Sequence, residues 1–227
     1  MSNWCATSPS IPRVRLFAVI LLMVGGIAAT VEPALAQETS HQPAALPEHS
    51  ATSRLSSFLA GAAVALAAHE SGHLLFDKIF DAHPGVKKVS FHGLPFFAIT
   101  HDGGLSPRKE FVIDSAGFWV QEAGNELILA RHPDLRHEHA PFVKGVYAFN
   151  VLTSAGYAAA AFARTGPLER DTRGMADSLK WKEPAIGALI LLPALLDAVR
   201  YYHHDAEWAV WGSRAAKIGG VILIGKK

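Results

Sequence analysis

The residues best suited to chemistry are His69-Glu70-Ser71-Gly72-His73, which form an HExxH motif. Four positions separate the two histidines, so on a helix both imidazoles lie on one face and can bind one Zn²⁺. Glu70 lies between them, where its carboxylate can reach a zinc-bound water as a general base. The pattern predicts a hydrolytic zinc site with His69 and His73 as metal ligands and Glu70 as the catalytic residue. The alternative is a chance match.

A catalytic zinc site uses three protein ligands and keeps one position open, so the two histidines leave one ligand to be found. Asp114 lies near the start of its apolar segment, at a depth that matches His73, whereas Asp197 lies deeper in its own segment. Glu122 and Glu126 are four residues apart and share a helix face. Spacing alone leaves all four carboxylates open, and those that are not ligands are expected to make polar contacts between helices.

The motif lies near the end of an apolar segment, residues 55–76, that is long enough to cross a membrane. Three more apolar segments follow, at residues 111–130, 141–163 and 185–199. Hydrophobic residues make up 50% of the 227-residue chain and charged residues only 18%, which favours a membrane protein over an ordinary soluble enzyme. Ionisable groups inside a membrane helix are costly, and this favours a functional HExxH site over coincidence.

Two segments outside the predicted spans predict a β-hairpin and an interfacial helix. Residues 77–110 are polar, and VKKVSFHG, Pro95 and FFAITHDGG within them predict a short β-hairpin at the membrane surface. The stretch 206–225 is typical of an interfacial helix, with Trp208 and Trp211 as membrane-belt residues. The expected fold is mainly α: a polytopic membrane helix bundle of about four spans, with a small β-hairpin inserted after the HExxH helix.

The first 36 residues have a basic start, an apolar centre and the ending Ala34-Leu35-Ala36, which is the pattern of a secretory signal peptide. The alternative is an uncleaved first membrane helix. In either case residues 37–54 follow as a polar linker outside the cytoplasm, and residues 55–227 form the membrane domain. The single cysteine, Cys5, excludes an internal disulfide framework.

Loop charges predict how the bundle is oriented. The stretches 77–110 and 164–184 each contain five Lys or Arg residues, whereas residues 131–140 contain two. Basic loops stay in the cytoplasm, so both richer loops are expected there, in the inner (plasma) membrane of a bacterial-type cell. The expected partners are the lipid bilayer and a membrane-protein or peptide substrate. A net charge of +1 provides no general attraction to nucleic acid.

These motifs together resemble the site-2 protease family of intramembrane zinc metalloproteases. That family carries HExxH in a membrane helix, as in AAHESGHLLF here, and follows it with a small β element. A later small-residue patch with an asparagine is similar to residues 115–118 (SAGF) and Asn125. A final LLP…LDGGR-like motif resembles residues 191–200 (LLPALLDAVR), in which Ala198-Val199 replaces the two glycines and Phe118 replaces the proline of the earlier patch.

The resemblance implies an integral-membrane zinc metalloprotease of small and divergent type, hydrolysing peptide bonds in or next to membrane segments. It implies Zn²⁺ as the cofactor, Asp197 as the third zinc ligand and Glu70 as the general base on the zinc-bound water. The alternative is a non-catalytic membrane protein, either a pseudoprotease or a metal-binding or transport module.

Overall fold

The computed structural model describes residues 51–91 and 94–226. The predicted leader and the predicted linker up to residue 50 lie outside the described residues. The described chain forms six helices and one hairpin: α1 (Ala51–Phe80), β1 (Gly85–Phe91), β2 (Leu94–Thr100), α2 (Pro107–Arg131), α3 (Pro141–Ala163), α4 (Asp171–Leu179), α5 (Glu183–Tyr202) and α6 (Glu207–Lys226).

The mainly helical fold with a small antiparallel hairpin is confirmed. Three described helices, α1, α3 and α5, are long and apolar enough to cross a membrane. The segment predicted as a further span forms α2, which is not among those three. Prolines occupy the first turns of α2, α3 and α5, where a residue without an N–H group costs no helical hydrogen bond.

Helices α1 and α3 pack with their backbones in close contact, because a glycine on each helix faces the backbone of the other helix. A Cβ atom on Gly61 would lie 2.1 Å from the carbonyl oxygen of Phe142, and one on Gly145 would lie 1.9 Å from that of Phe58. Small residues of this kind allow membrane helices to pack without large side chains between them. This contact fixes the helix that carries the HExxH motif against the bundle.

The hairpin joins α1 to α2. Gly85 of β1 is opposite Thr100 of β2, and the pairing continues to Phe91 opposite Leu94. The far end of β2 leads into the loop before α2, and β2 packs against α1. The hairpin therefore lies beside the end of α1 at which the HExxH motif is found.

The basic stretch 164–184 is not the plain loop that its composition predicts, because it contains α4. The buried residues of α4 are Thr172, Met175, Ala176 and Leu179, which recur with the spacing of one helix face. This face packs against α2, α3 and α5. The chain after α3 therefore folds back onto the bundle, and Asp171 begins the helix that does so.

Candidate metal centre

The two histidines of the motif lie on the inner face of α1, as their spacing predicts. His69 and His73 are both buried. Their Nε2 atoms are 3.2 Å apart, so both ring nitrogens face the same point in space.

Asp171, at the start of α4, completes the cluster. Its Oδ2 atom lies 3.3 Å from Nε2 of His69 and 3.5 Å from Nε2 of His73. In the part of the chain that the structure describes, this is the one group of three His, Cys, Asp or Glu side chains whose ligand atoms all lie within 4.8 Å of one another.

These separations fit a tetrahedral metal ion. Bonds of about 2.0–2.1 Å to nitrogen and oxygen place tetrahedral ligands roughly 3.3–3.4 Å apart, and the three measured separations are 3.2, 3.3 and 3.5 Å. His73 Nδ1 lies 2.7 Å from the carbonyl oxygen of Ile113, which can only accept a hydrogen bond. In the neutral imidazole the proton is therefore on Nδ1, and the Nε2 lone pair faces the cluster, as a metal ligand requires.

The charge of Asp171 also suits a ligand. Burial raises the pKa of the Asp171 carboxyl, but the positive charge that the His73 and His69 rings carry when protonated lowers it by more, so the pKa lies well below its ordinary value. The side chain is therefore a carboxylate, which is the form that binds a cation. A metal ion at this position would take the place of the ring protons that face Asp171.

Asp171 is held in place by its neighbours in the chain. Arg170 donates two hydrogen bonds of 2.6 Å to the two carboxylate oxygens of Glu183, at the start of α5. The hydroxyl of Thr172 donates to the same carboxylate at 3.0 Å. Because the residues on both sides of Asp171 bind Glu183, the segment has little freedom to move away from the histidines.

Glu70 lies next to the cluster but is not tied to another side chain. Its carboxylate interacts electrostatically with His69, His73 and Asp171. Among the described residues it has no hydrogen-bond partner, and it is only partly buried. An acceptor that is close to the metal ligands and free of other bonds can take a proton from a water molecule.

Two aromatic side chains form one wall of the centre. The ring of Phe118 meets the His69 ring edge-on at 5.5 Å, and the ring of Tyr157 lies 6.2 Å from it. The Tyr157 hydroxyl also interacts with the Asp171 carboxylate and with Glu70. On α2, Gly117 lies directly against the His69 ring, since a Cβ atom there would be 2.4 Å from Cε1.

A cavity of about 210 Å³ opens beside the cluster. His73 and Asp171 line this cavity. Its other lining residues lie at the end of β2, near the start of α2, in the segment before α4 and in α4 itself. The space is enough for several water molecules or for part of a polypeptide chain. The cavity therefore connects the two ligands with the hairpin side of the molecule.

Asp197, which the sequence resemblance favours as the third ligand, is not brought to the histidines. It is fully buried on α5, where Oδ2 lies 2.9 Å from Nζ of Lys217 and Oδ1 lies 3.3 Å from Arg200. The hydroxyl of Ser213 also donates a hydrogen bond to it. Through these contacts Asp197 attaches α6 to α5. The geometry therefore favours Asp171, not Asp197, as the third metal ligand.

The other sequence-based candidates also lie elsewhere. Glu126 pairs with Arg200 at 2.6 Å, and Glu122 lies 3.6 Å from Lys217. Asp114 comes nearer, because it lines the cavity beside His73 and Asp171, but it is not one of the three clustered ligands.

Sequence reasoning missed Asp171 because it lies in the polar stretch between apolar segments. Two signals could have found it. Thr172, Met175, Ala176 and Leu179 recur with a helical period in the sequence, and the loop charges predict that this stretch lies at the same end of the bundle as His73.

No protein-family model, curated protein or solved structure matches this chain. The resemblance to the site-2 proteases therefore stays a prediction from motifs.

Proposed function

We propose that the chain is an integral-membrane zinc metalloprotease in which His69, His73 and Asp171 hold the metal and Glu70 is the general base. The observation that carries the proposal is the convergence of the three ligand atoms at separations of 3.2 to 3.5 Å, with Glu70 beside them. These distances match the edge of a tetrahedral zinc site, which is about 3.3–3.4 Å.

His69, His73 and Asp171 would hold a zinc ion, which would supply a Lewis acid to polarise the scissile carbonyl and to lower the pKa of a water molecule. In that reaction Glu70 would take a proton from the water whose oxygen attacks the carbonyl carbon, and would pass it to the amine nitrogen that leaves when the C–N bond breaks. Phe118 and Tyr157 shield the His69 side of the centre from solvent. Tyr157 also acts as a positioning residue through its contact with Asp171.

The location of the centre favours a substrate in or next to the membrane. His73 lies seven residues before the end of α1, a helix long and apolar enough to cross a bilayer. That spacing corresponds to a depth of about 10 Å. A substrate helix must unwind locally to react there, because its peptide carbonyls are already hydrogen-bonded within the helix.

The proposal is tested by purifying the full chain in detergent and measuring zinc content and cleavage of membrane-segment peptides. Glu70→Gln should keep stoichiometric zinc and lose cleavage by about 10²–10⁴-fold, since only the proton transfer is removed. Asp171→Asn should lower zinc affinity by more than about 100-fold, because a direct ligand is lost.

Two matched variants serve as controls. Asp177→Asn alters an exposed carboxylate on the same short helix and should leave zinc and cleavage unchanged. Asp197→Asn should retain zinc, because Asp197 binds Lys217 and Arg200. Zinc loss in Asp197→Asn with retention in Asp171→Asn would overturn the ligand assignment. Stoichiometric zinc without cleavage in the wild type would instead indicate a non-catalytic metal-binding membrane protein.

A further inference from the structure

Helix α6 exposes an apolar stripe along its length. Trp208, Trp211 and Ile218 are 65%, 67% and 60% exposed, and Ala215 and Ile222 are exposed as well. Steps of three, four, three and four residues place all five side chains on one face of the helix.

The opposite face of α6 is polar and points into the protein. Ser213 is fully buried, and the side chain of Lys217 is only 11% exposed. Lys217 Nζ lies 2.9 Å from Asp197 and 3.3 Å from Glu126. A helix on the surface of a water-soluble protein has the reverse arrangement, with its apolar face inward and its charges in solvent.

The charges that accompany α6 balance one another. Three acidic side chains on α2 and α5 meet three basic ones on α5 and α6, so their formal charges sum to zero. The six residues of this ion network are Glu122, Glu126, Asp197, Arg200, Arg214 and Lys217. Paired charges directed into a bundle are the form in which ionisable residues are tolerated inside a membrane. A count of charged residues along α6 therefore understates how apolar its outer surface is.

The length of α6 matches the thickness of a bilayer, and the exposed surface of α5 beside it is also apolar. Helix α6 has 20 residues, so its length is about 30 Å, the thickness of the hydrocarbon core. It packs against α5, whose Leu192 and Leu195 are also exposed and which is itself apolar enough to span. Trp208 and Trp211 lie in the first turns of α6, where a membrane–water interface is expected. Ile218 and Ile222 lie further along the helix, where the hydrocarbon core is expected.

We propose that α6 is a further membrane-embedded helix whose Trp208–Ile222 stripe faces lipid acyl chains, while the ion network attaches its inner face to α2 and α5. The inference concerns a lipid-binding surface and does not depend on the chemistry of the metal centre. It also revises the sequence prediction that this segment lies along the interface.

The test uses the full chain with Cys5→Ser, reconstituted in liposomes and carrying one nitroxide spin label. Labels at Ala215→Cys and Ile218→Cys should be more accessible to oxygen, which concentrates in lipid, than to a water-soluble nickel chelate. The control label at His137→Cys, an exposed position in the loop after α2, should show the opposite preference.

Two results would overturn the inference. Nickel-dominated accessibility at both stripe positions would show that this face lies in water. Spin–spin broadening at either position, removed by dilution with unlabelled protein, would show that a second copy of the chain covers the stripe in place of lipid. Comparing two label positions guards against one of them disturbing the helix.

Discussion

Each proposed ligand of the candidate metal centre is oriented by a contact made on the side away from the other two. Ile113 accepts a hydrogen bond from His73, and the Arg170 and Thr172 contacts with Glu183 hold Asp171 between them. For His69 the equivalent contact is steric, because its ring lies against the α carbon of Gly117. Such outer contacts fix ring orientation and are worth about 10–100-fold in metal affinity.

The variant Gly117→Ala tests this at the level of one residue. The added methyl would lie 2.4–2.6 Å from three atoms of the His69 ring, so the ring must move off its present position. We expect zinc affinity to fall by about tenfold or more, measured by competition with a chelator.

The control is Gly124→Ala on the same helix, where the nearest atom to the new methyl is 3.6 Å away. That distance is an ordinary contact, so zinc affinity should be unchanged. Equal zinc affinity in both variants would show that the His69 ring has room that the structure does not indicate.

At the scale of elements, the centre depends on two packing events. The close contact of α1 with α3 fixes the histidines, and the return of α4 onto α2, α3 and α5 brings in Asp171. The contact between α1 and α3 is close because glycines have no side chain between the helices. The packing of α4 buries the apolar face of that short helix. Neither event involves the reactive groups themselves, so each can be perturbed without changing a ligand.

The variant Gly145→Ala tests the contact between α1 and α3. A methyl 1.9 Å from the carbonyl oxygen of Phe58 forces the helices apart, because a backbone atom cannot rotate away. We expect a loss of about 1–3 kcal/mol in the free energy of unfolding, measured by denaturant titration in detergent. Gly156→Ala, on the same helix with nothing within 4 Å of the new methyl, should not be destabilised. Equal stability of the two variants would contradict the close packing.

At the scale of the whole molecule, charge is sorted by position. Basic residues concentrate in 77–110 and 164–184, which meet at the end of the bundle that holds the metal centre. Arg200 on α5 and Lys217 on α6 are paired with carboxylates inside the bundle. We therefore expect the centre to open toward the cytoplasmic side, while the loop before α3 faces the other side.

Cysteine labelling in intact cells tests this orientation. In a Cys5→Ser background, His137→Cys should react with a membrane-impermeant maleimide added outside once the outer permeability barrier is opened. Lys182→Cys, an exposed position between α4 and α5, should react only after the inner membrane is disrupted. Labelling at 182 but not at 137 would reverse the orientation, and labelling at both would contradict membrane insertion of the chain.

Local patterns were enough to predict much of the fold. Apolar runs predicted α1, α2, α3 and α5, alternation predicted the hairpin, and HExxH predicted that His69 and His73 share a helix face. These features depend on residues close together in the chain, for which helix and strand periods are sufficient.

The tertiary structure decided which carboxylate meets the histidines. Asp171 and Asp197 are the same residue type and follow His73 by 98 and 124 positions, and neither separation predicts a contact with the histidines. Contacts between distant segments depend on how the elements pack. Lys217 and Arg200 neutralise Asp197 on α5, whereas the return of α4 places Asp171 against His69 and His73. By itself the sequence determined the longer helices and the two-histidine face; only the packing of α4 and α6 determined which carboxylate joins the histidines and which groups pair with the charges of α5 and α6.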